Sequence, residues 1–208
     1  MTPYDNVAEF ERRVAEYAGA DYGVAVNSCT SALTLAVKLA LDLGGDGRVF
    51  IPRCTYVGVP YAIRIAGGVP VFEKRAWLGA YELKISQPLG FDAPPVIDSA
   101  RRFHRDMYAP GSLWCLSFHE TKHLPIGDGG MILTDNNVFA NKLRRMRFDG
   151  RTPGVSIWED TIDEPWALHC HMKPDVATRG LMLMAGVRDY NEDLPERYPD
   201  LSKMEAFK

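Results

Sequence analysis

The stretch SLWCLSFHETKHLPIGDGGMILTD, residues 112–135, is the strongest indication of the fold. Residues 113–118 and 131–134 are apolar runs with the length of buried strands. The loop between them is polar, carries Lys122 and is rich in glycine toward its end. Glycine lets the backbone approach a ligand closely, so this pattern predicts a ligand-binding loop just beyond a core strand.

Lys122 has two interpretations at this position. Lysine is rarely buried without a partner, so a lysine beyond a core strand either extends into solvent or is held for chemistry. A lysine that acts as a nucleophile at neutral pH needs desolvation or a cationic neighbour to lower its pKa, and it commonly forms a Schiff base with a carbonyl. Surface lysines in glycine-rich loops are common, so other segments have to decide between the two.

Length and composition favour one globular domain with a sizeable core. The chain has 208 residues, of which 46% are hydrophobic and 25% charged. We predict a domain over residues 1–190 and a polar, loosely held tail over residues 191–208. The net charge of -3 and the pI near 6.0 provide no broad basic field, so neither nucleic acid nor an anionic membrane is an expected partner.

Cysteine spacing and the N-terminal residues predict the compartment. The four cysteines lie far apart, unlike those of a disulfide framework or a zinc site. His169 and His171 flank Cys170, but no second ligand pair has suitable spacing, so no metal site is expected. The N-terminal residues contain no apolar signal core, and no stretch approaches the length of a membrane span. These features predict a cytoplasmic protein.

Strand and helix patterns alternate along most of the chain. Strands are predicted at residues 22–26, 48–52, 69–72, 95–98, 113–118 and 131–134. Helices are predicted at residues 6–18, after residue 31, at 55–65, around 139–147 and from residue 174. This alternation favours an α/β fold with a mainly parallel central sheet flanked by helices. The pattern weakens over residues 73–94, where only a short strand at 81–85 is expected.

Polar residues follow the first strand directly. Ligands collect at the carboxyl ends of parallel strands, so residues in this position are candidates for a site. Ser28, Cys29, Thr30 and Ser31 lie between strand and helix, where free N–H groups and the positive helix end attract an anion such as phosphate. Serine and threonine are also the favoured N-cap residues, so an ordinary cap explains the same turn.

Two further residues follow strands. Tyr56 either stacks on a planar ring or belongs to the core. Asp98 ends an apolar strand, where an unpaired carboxylate is costly, so we expect a cationic partner. A pyridinium nitrogen fits this role, and so does Arg101 or Arg102. An anion-binding turn, a flat aromatic ring, a strand-end acid and a loop lysine are together the parts required to hold pyridoxal phosphate.

Six segments carry a resemblance to a known family. They are VNSCTSALTLAV, VFIPRCTYVGVPYAI, VIDSA, LSFHETKHLPIGDGGMILTD, MRFDG and MKPDVATRGLMLM. In this order they resemble the DegT/StrS family of sugar aminotransferases, which are fold type I pyridoxal-phosphate enzymes. The SFHETK segment with the following GDGG is the most specific. The resemblance implies the large domain of that fold, with the C-terminal small domain largely missing.

The resemblance also implies roles for individual residues. Lys122 corresponds to the Schiff-base lysine, and Asp98 corresponds to the acid that pairs with the ring nitrogen. Tyr56 corresponds to the residue that stacks on the ring, while Ser117 and the turn at residues 28–31 correspond to the phosphate site.

Several positions depart from the family's pattern. Family members are longer, and they usually have glycine where Cys29 stands, glutamine where Arg101 stands and histidine where Asp149 stands. An asparagine that reaches the partner subunit's phosphate is expected around Cys170 or His171 and is not found there. The glutamine normally lies near the cofactor's ring hydroxyl. Arginine at position 101 can still donate there, but its larger guanidinium fork repacks the site.

The expected function is transfer of an amino group to a keto sugar, attached to a nucleotide, with pyridoxal phosphate as cofactor. Glutamate as the donor and a homodimer with shared active sites are implied by the resemblance. The alternative is a shortened, non-catalytic homologue that binds cofactor or a partner. A pyridoxal-phosphate enzyme of another reaction type is a third reading, because the cofactor also serves dehydration and decarboxylation.

Overall fold

A computed structural model describes residues 4–88 and 93–208, which contain seven strands and five α-helices. The strands are β1 (Tyr22–Val26), β2 (Arg48–Pro52), β3 (Val69–Glu73), β4 (Tyr81–Ile85), β5 (Val96–Asp98), β6 (Leu113–Ser117) and β7 (Gly130–Thr134). The helices are α1 (Asp5–Ala18), α2 (Cys29–Asp42), α3 (Gly58–Ile65), α4 (Asn137–Met146) and α5 (Pro174–Met184). Two short 3-10 turns follow at Leu201–Lys203 and Glu205–Phe207.

Helix α1 forms as its apolar spacing predicts. Val7, Phe10, Val14 and Tyr17 recur at helical intervals and are all buried on one face. Gly19 ends the helix in the left-handed conformation, with φ of 80°, and its N–H bonds back to the last helical carbonyls. The sequence therefore determines both the buried face of α1 and the point where the chain turns into β1.

The strands form one mixed sheet in the order β1-β7-β6-β5-β4-β2-β3. The pairs β2–β3 and β5–β6 are parallel, and the other four pairs are antiparallel. Five strands run in one direction, and only β4 and β7 run in the other. The predicted α/β sheet flanked by helices is confirmed, and the sheet is mixed rather than mainly parallel in its pairing, because the two reversed strands lie among the five that share a direction.

The direction of β4 follows from the length of its connection. Residues 86–95 alone separate β4 from its sheet neighbour β5. A parallel pair needs a crossover of about a dozen or more residues, so this short connection requires an antiparallel pair. Strand β4 therefore begins at the edge of the sheet where β2, β3 and β5 end.

Helices cover both faces of the sheet, as predicted. Leu113 and Cys115 pack into a core with α2, α3 and α4. Trp114 and Leu116, which alternate with them along β6, pack on the opposite face against α1 and α5. Each large side chain buried this way contributes about 1.5–3 kcal/mol. Within residues 4–88 and 93–208, no helix is both long and apolar enough to cross a bilayer.

A buried ion pair joins α1 to the end of α4. Glu11 and Arg147 are 6% and 8% exposed, and the Arg147 guanidinium donates to both the Glu11 carboxylate and the carbonyl of Ala25. The backbone N–H of Ala25 donates to the same carboxylate at 2.9 Å. The pair therefore connects helix α1, strand β1 and the residue that ends α4.

Residues 191–208 are packed against the body of the protein, which corrects the expectation of a loosely held segment. Leu201 is 1% exposed, and its N–H donates to the carbonyl of Arg53 at 2.9 Å. The Asp193 carboxylate forms an ion pair with Arg102 at 2.5 Å. Phe207 packs edge-on against Phe72, with ring centroids 5.7 Å apart. The polar composition of the segment concealed these few apolar and ionic anchors.

Candidate active site

Four strands bring the candidate residues to one edge of the sheet. Strands β1, β2, β5 and β6 run in the same direction, so the turns after them meet at their carboxyl ends. A cavity of about 330 Å³ lies there. It is lined by eight of the nine predicted site residues, namely Ser28, Cys29, Thr30, Tyr56, Asp98, Arg101, Ser117 and Lys122.

The turn after β1 serves as a helix cap and as a cavity wall at once. The Ser28 side chain accepts a hydrogen bond from the backbone N–H of Ser31 at 3.1 Å, which makes Ser28 the N-cap of α2. The Ser31 hydroxyl donates to Asn27 at 2.7 Å, and Ser31 does not line the cavity. Ser28, Cys29 and Thr30 present the positive end of α2 to the cavity.

Glycine is required where β7 passes this turn. A Cβ atom at Gly130 would lie 2.6 Å from the backbone nitrogen of Cys29, a separation that side-chain carbons essentially never adopt. Gly129, with φ of 103°, has the left-handed backbone that favours glycine. At Gly130, therefore, the glycine lets the chain approach its own α2 turn. The glycine pattern alone had predicted that the backbone approaches a ligand here.

Asp98 is buried at the cavity wall, with 4% of its surface exposed. Its carboxylate accepts the backbone N–H of Ala100 at 2.9 Å and also accepts the hydroxyl of Tyr81, its cross-strand partner on β4. Burial raises the pKa of Asp98, and these two hydrogen bonds oppose the rise. A cation entering the cavity would offset the free-energy cost of burying the charge of Asp98.

The alternative partners for Asp98 are engaged elsewhere. Arg102 forms its ion pair with Asp193, and the Arg101 guanidinium lies over the ring of Tyr198. Among the described residues, neither arginine forms an ion pair with Asp98. The acid therefore retains the acceptor capacity and the charge that a pyridinium ring would match.

Lys122 is half-buried in the loop after β6. Its backbone N–H donates to the carbonyl of His119 at 2.9 Å, which holds the turn that directs the side chain into the cavity. Burial lowers the pKa of Lys122, and the charge of Arg101 lowers it further, while the charge of Asp98 opposes the shift. A larger fraction of this side chain is therefore a neutral amine at neutral pH than for a lysine in water.

Cys29 is the first residue of helix α2 and lines the cavity. Burial raises the pKa of its thiol well above the ordinary value, and the Asp98 charge adds to the effect. The side chain therefore remains a neutral thiol at neutral pH, so it contributes bulk to the turn that begins α2 and is not a nucleophile there.

Trp77 and Tyr198 also line the cavity, and sequence analysis did not identify either. Trp77 lies between β3 and β4, where the periodic pattern is weakest, and its indole donates to the carbonyl of Cys54 at 2.8 Å. Tyr198 comes from the segment expected to be a polar tail. Trp77 comes after β3 and two charged residues, but the candidates predicted from the sequence were polar or charged residues and Tyr56, and Tyr198 follows no strand at all.

The histidines around Cys170 do not line this cavity. His169 is hydrogen-bonded to Asp149 at 2.6 Å, and His171 packs against the ring of Phe148. No group of three or more metal-ligating side chains occurs in residues 4–88 and 93–208.

A family model assigns most of the chain. The model described as the DegT/DnrJ/EryC1/StrS aminotransferase family matches residues 1–74 and 101–192, which is more than half of the sequence. The chain belongs to the DegT/DnrJ/EryC1/StrS aminotransferase family. The family resemblance is therefore confirmed, and five of the six segments that carried it lie within the matched residues, VIDSA being the exception.

Related proteins of the DegT/DnrJ/EryC1/StrS family share sequence and fold with this chain. GDP-perosamine synthase of Caulobacter vibrioides is 27% identical over 186 residues, which cover 73% of this chain and 50% of that protein. The crystal structure of AtS13 from Actinomadura melliaura has a TM-score of 0.72 and 23% identity, and the match covers 88% of this chain and 60% of that one. The PMP form of Spr1654 from Streptococcus pneumoniae has a TM-score of 0.68 and 20% identity, over 88% of this chain and 59% of that one. These structures confirm the fold.

Two parts of the cavity lie outside the match to the DegT/DnrJ/EryC1/StrS family. Residues 75–100, which include Trp77 and Asp98, and residues 193–208, which include Tyr198, are unmatched. The chain spans about half the length of the curated relatives it matches, 50% and 46% of two of them. Asp98 nevertheless lines the same cavity as Lys122, which lies within the matched part.

Proposed function

We propose that the protein is a pyridoxal-phosphate-dependent aminotransferase that moves an amino group from glutamate to a keto sugar linked to a nucleotide. One observation carries the proposal: Lys122, Asp98 and the N-terminus of α2 line a single cavity at the carboxyl edge of the sheet. A volume of about 330 Å³ is at the small end of the range for ligand sites and suits a cofactor.

The residues present fit this cofactor. The Asp98 carboxylate, buried without an ion pair among the described residues, suits the ring nitrogen. Ser28, Thr30 and Ser117 offer hydroxyls beside the positive end of α2, which suits a phosphate. Tyr56, 53% exposed, has an open ring face for stacking. When bound, the cofactor supplies an aldehyde carbon that takes up an amino group and a ring that accepts electrons from the reacting carbon.

The chain's own residues then handle protons and charge. With the cofactor bound, Lys122 Nζ, as a neutral amine, would accept the proton from the amino-bearing carbon of the donor and deliver a proton to the former aldehyde carbon of the cofactor. The lowered pKa of Lys122 favours the neutral form that this step needs. Asp98 holds its negative charge against the ring nitrogen and so keeps that nitrogen protonated.

Partners and compartment belong to the same proposal. A homodimer with shared active sites is supported by family membership and by the cavity's position at an open edge of the sheet. All four cysteines are unpaired, which is typical of proteins in a reducing cytoplasm. Sugar substrates are supported by the similarity to GDP-perosamine synthase.

A second candidate function is a non-catalytic homologue that binds the cofactor or a partner. The observation that favours it is the chain's length, which is about half that of the curated relatives. Arginine at position 101, where the family usually has glutamine, adds to this alternative.

Absorbance spectroscopy separates the two candidates. Wild-type protein titrated with pyridoxal phosphate should show the band of the lysine-bound cofactor, and Lys122→Ala should abolish it. Lys173→Ala, at an exposed position, is the matched control and should retain the band. Loss of the band on addition of glutamate supports transamination, whereas a band that no amino acid alters supports the non-catalytic candidate.

A further inference from the structure

The segment from Asp193 to Asp200 brings Tyr198 to the cavity wall and is held on both sides of that residue. Before Tyr198, the N–H of Leu194 donates to the carbonyl of Arg101 at 3.0 Å. After it, Cys54 and Asp200 form an isolated antiparallel bridge next to β2. Because the backbone is held at both ends, the position of Tyr198 is determined by the fold of the whole chain.

Tyr198 belongs to an aromatic cluster at the cavity wall. Its ring is nearly parallel to that of Trp77, with an interplanar angle of 16° and centroids 6.3 Å apart. The ring of Tyr56 lies 6.0 Å away on another side. All three side chains line the cavity, so Tyr198 is supported by rings that are themselves part of the site.

Arg101 is held by this tyrosine. The guanidinium carbon lies 4.9 Å from the centroid of the Tyr198 ring, which is within the range of a cation–π interaction. Arg101 Nε also donates to the Tyr198 hydroxyl at 3.3 Å. Within residues 4–88 and 93–208, Arg101 forms no ion pair with a carboxylate, so its charge faces the cavity without direct neutralisation.

The charge of Arg101 affects the pKa of Lys122. The charge of Arg101 is one of the causes of its lowered pKa, second to burial. A cation beside a lysine favours the neutral, nucleophilic amine, and five guanidinium N–H groups can also bind oxygens of a ligand in the same cavity. The location of the Arg101 charge therefore affects both the amine and its ligand.

We propose that Tyr198 is a positioning residue of the active site, which holds Arg101 over the cavity beside Lys122 by way of the packed C-terminal segment. Trp77 and Tyr198 both lie outside the residues that match the family model, so the match accounts for neither residue. The role in cofactor binding rests on the proposed function, whereas the coupling of Tyr198 to Arg101 and Lys122 does not.

A double-mutant cycle on cofactor-free protein tests the proposal. The variants are Tyr198→Leu, which removes the ring but keeps apolar cover, Arg101→Met, and the two combined. The pH dependence of Lys122 acetylation by acetic anhydride is measured by peptide mass spectrometry, with exposed Lys173 as the reference site. Each single variant should shift the midpoint of the Lys122 pH profile to higher pH. In the Arg101→Met background, Tyr198→Leu should cause little further shift.

Controls separate positioning from folding. Tyr198→Phe keeps the ring that holds Arg101, so its Lys122 midpoint should stay close to that of wild type. Tyr190→Leu removes a 69%-exposed tyrosine outside the cavity and should leave the midpoint unchanged. Circular dichroism identifies variants that fail to fold. The proposal would be overturned if Tyr198→Leu left the Lys122 midpoint unaltered. It would also be overturned if Tyr198→Leu shifted the midpoint upward as much in the Arg101→Met background as in the wild-type background.

Cofactor affinity is the second measurement. Titration with pyridoxal phosphate should give a dissociation constant roughly three- to tenfold weaker in Tyr198→Leu, the scale of one cation–π contact. If wild-type protein binds no cofactor, the proposed function fails, and the acetylation cycle still decides whether Tyr198 positions Arg101. If wild-type protein binds the cofactor and Tyr198→Leu binds it equally well, the part played by Tyr198 in cofactor binding is refuted.

Discussion

Replacing Asp98 with asparagine should have opposite effects on cofactor binding and on the stability of the cofactor-free protein. The side chain is 4% exposed and lines the cavity. Asparagine has nearly the same shape, and its oxygen can still accept the Ala100 N–H, which Asp98 accepts at 2.9 Å. The substitution therefore removes the negative charge and leaves the packing intact.

The magnitude for binding follows from the lost charge. A hydrogen bond to a charged group contributes about 1.5–3 kcal/mol, and each 1.4 kcal/mol corresponds to about a tenfold change in affinity. Asp98→Asn should therefore weaken pyridoxal phosphate binding by about 10- to 100-fold. Asp128→Asn is the matched control, because Asp128 lines the same cavity but is exposed. Removing that charge should leave the affinity for an anionic ligand similar or slightly higher.

Stability should change in the other direction. In the cofactor-free protein, burial raises the folded-state pKa of Asp98 above its unfolded value. The folded state therefore favours the proton, and stability is lost as pH rises from the unfolded-state pKa through the folded-state pKa. Asp98→Asn has no charge to bury, so its free energy of unfolding should lack this decrease and exceed that of wild type at neutral pH.

Two measurements check this prediction. Absorbance titration with pyridoxal phosphate gives the affinity, and urea denaturation of cofactor-free protein between pH 4 and 8 gives the free energy of unfolding. The assignment of Asp98 as a buried, unpaired carboxylate facing the ring nitrogen would be refuted by two results together. Asp98→Asn would bind pyridoxal phosphate with wild-type affinity, and its free energy of unfolding would depend on pH as that of wild type does.

Three further predictions concern the fold that supports the site. Glu11→Ala should destabilise the protein by about 3–5 kcal/mol in urea denaturation, because it leaves Arg147 charged and buried; Glu9→Ala, at an exposed pair, should change the stability far less. Gly130→Ala should cost about 1–3 kcal/mol in the same assay, because the added carbon meets the backbone of the α2 turn. Leu201→Ala should cost about 2–5 kcal/mol and should speed proteolytic cleavage within residues 191–208; a cleavage rate equal to wild type would contradict the packing of this segment.

Local patterns were sufficient for much of the fold. The apolar spacing of α1, the cap at Ser28 and the short apolar strand β6 each depend on neighbours within a few residues. Such signals are present in the sequence itself, so the elements and their alternation were predictable. The candidate site was predictable in the same way, because strand ends followed by polar residues converge at one edge of the sheet.

Other features depend on residues that are distant in the chain. Glu11 is a charged residue in an amphipathic helix, yet it is buried because Arg147, 136 residues later, provides a partner. Strand β4 is reversed because its connection to β5 is too short for a crossover. Periodicity carries no information about either relation.

By itself, then, the sequence determined the α/β alternation, the position of Asp98 at the end of a strand and of Lys122 in the loop after β6, and the polar turn that begins α2. Only the tertiary structure decided that Trp77 and Tyr198 enter the cavity and that Arg101 faces a tyrosine while Asp98 remains without an ion pair among the described residues. The physical reason is that local propensity acts over one or two turns of chain, whereas the wall of a cavity is built from contacts between segments far apart in sequence.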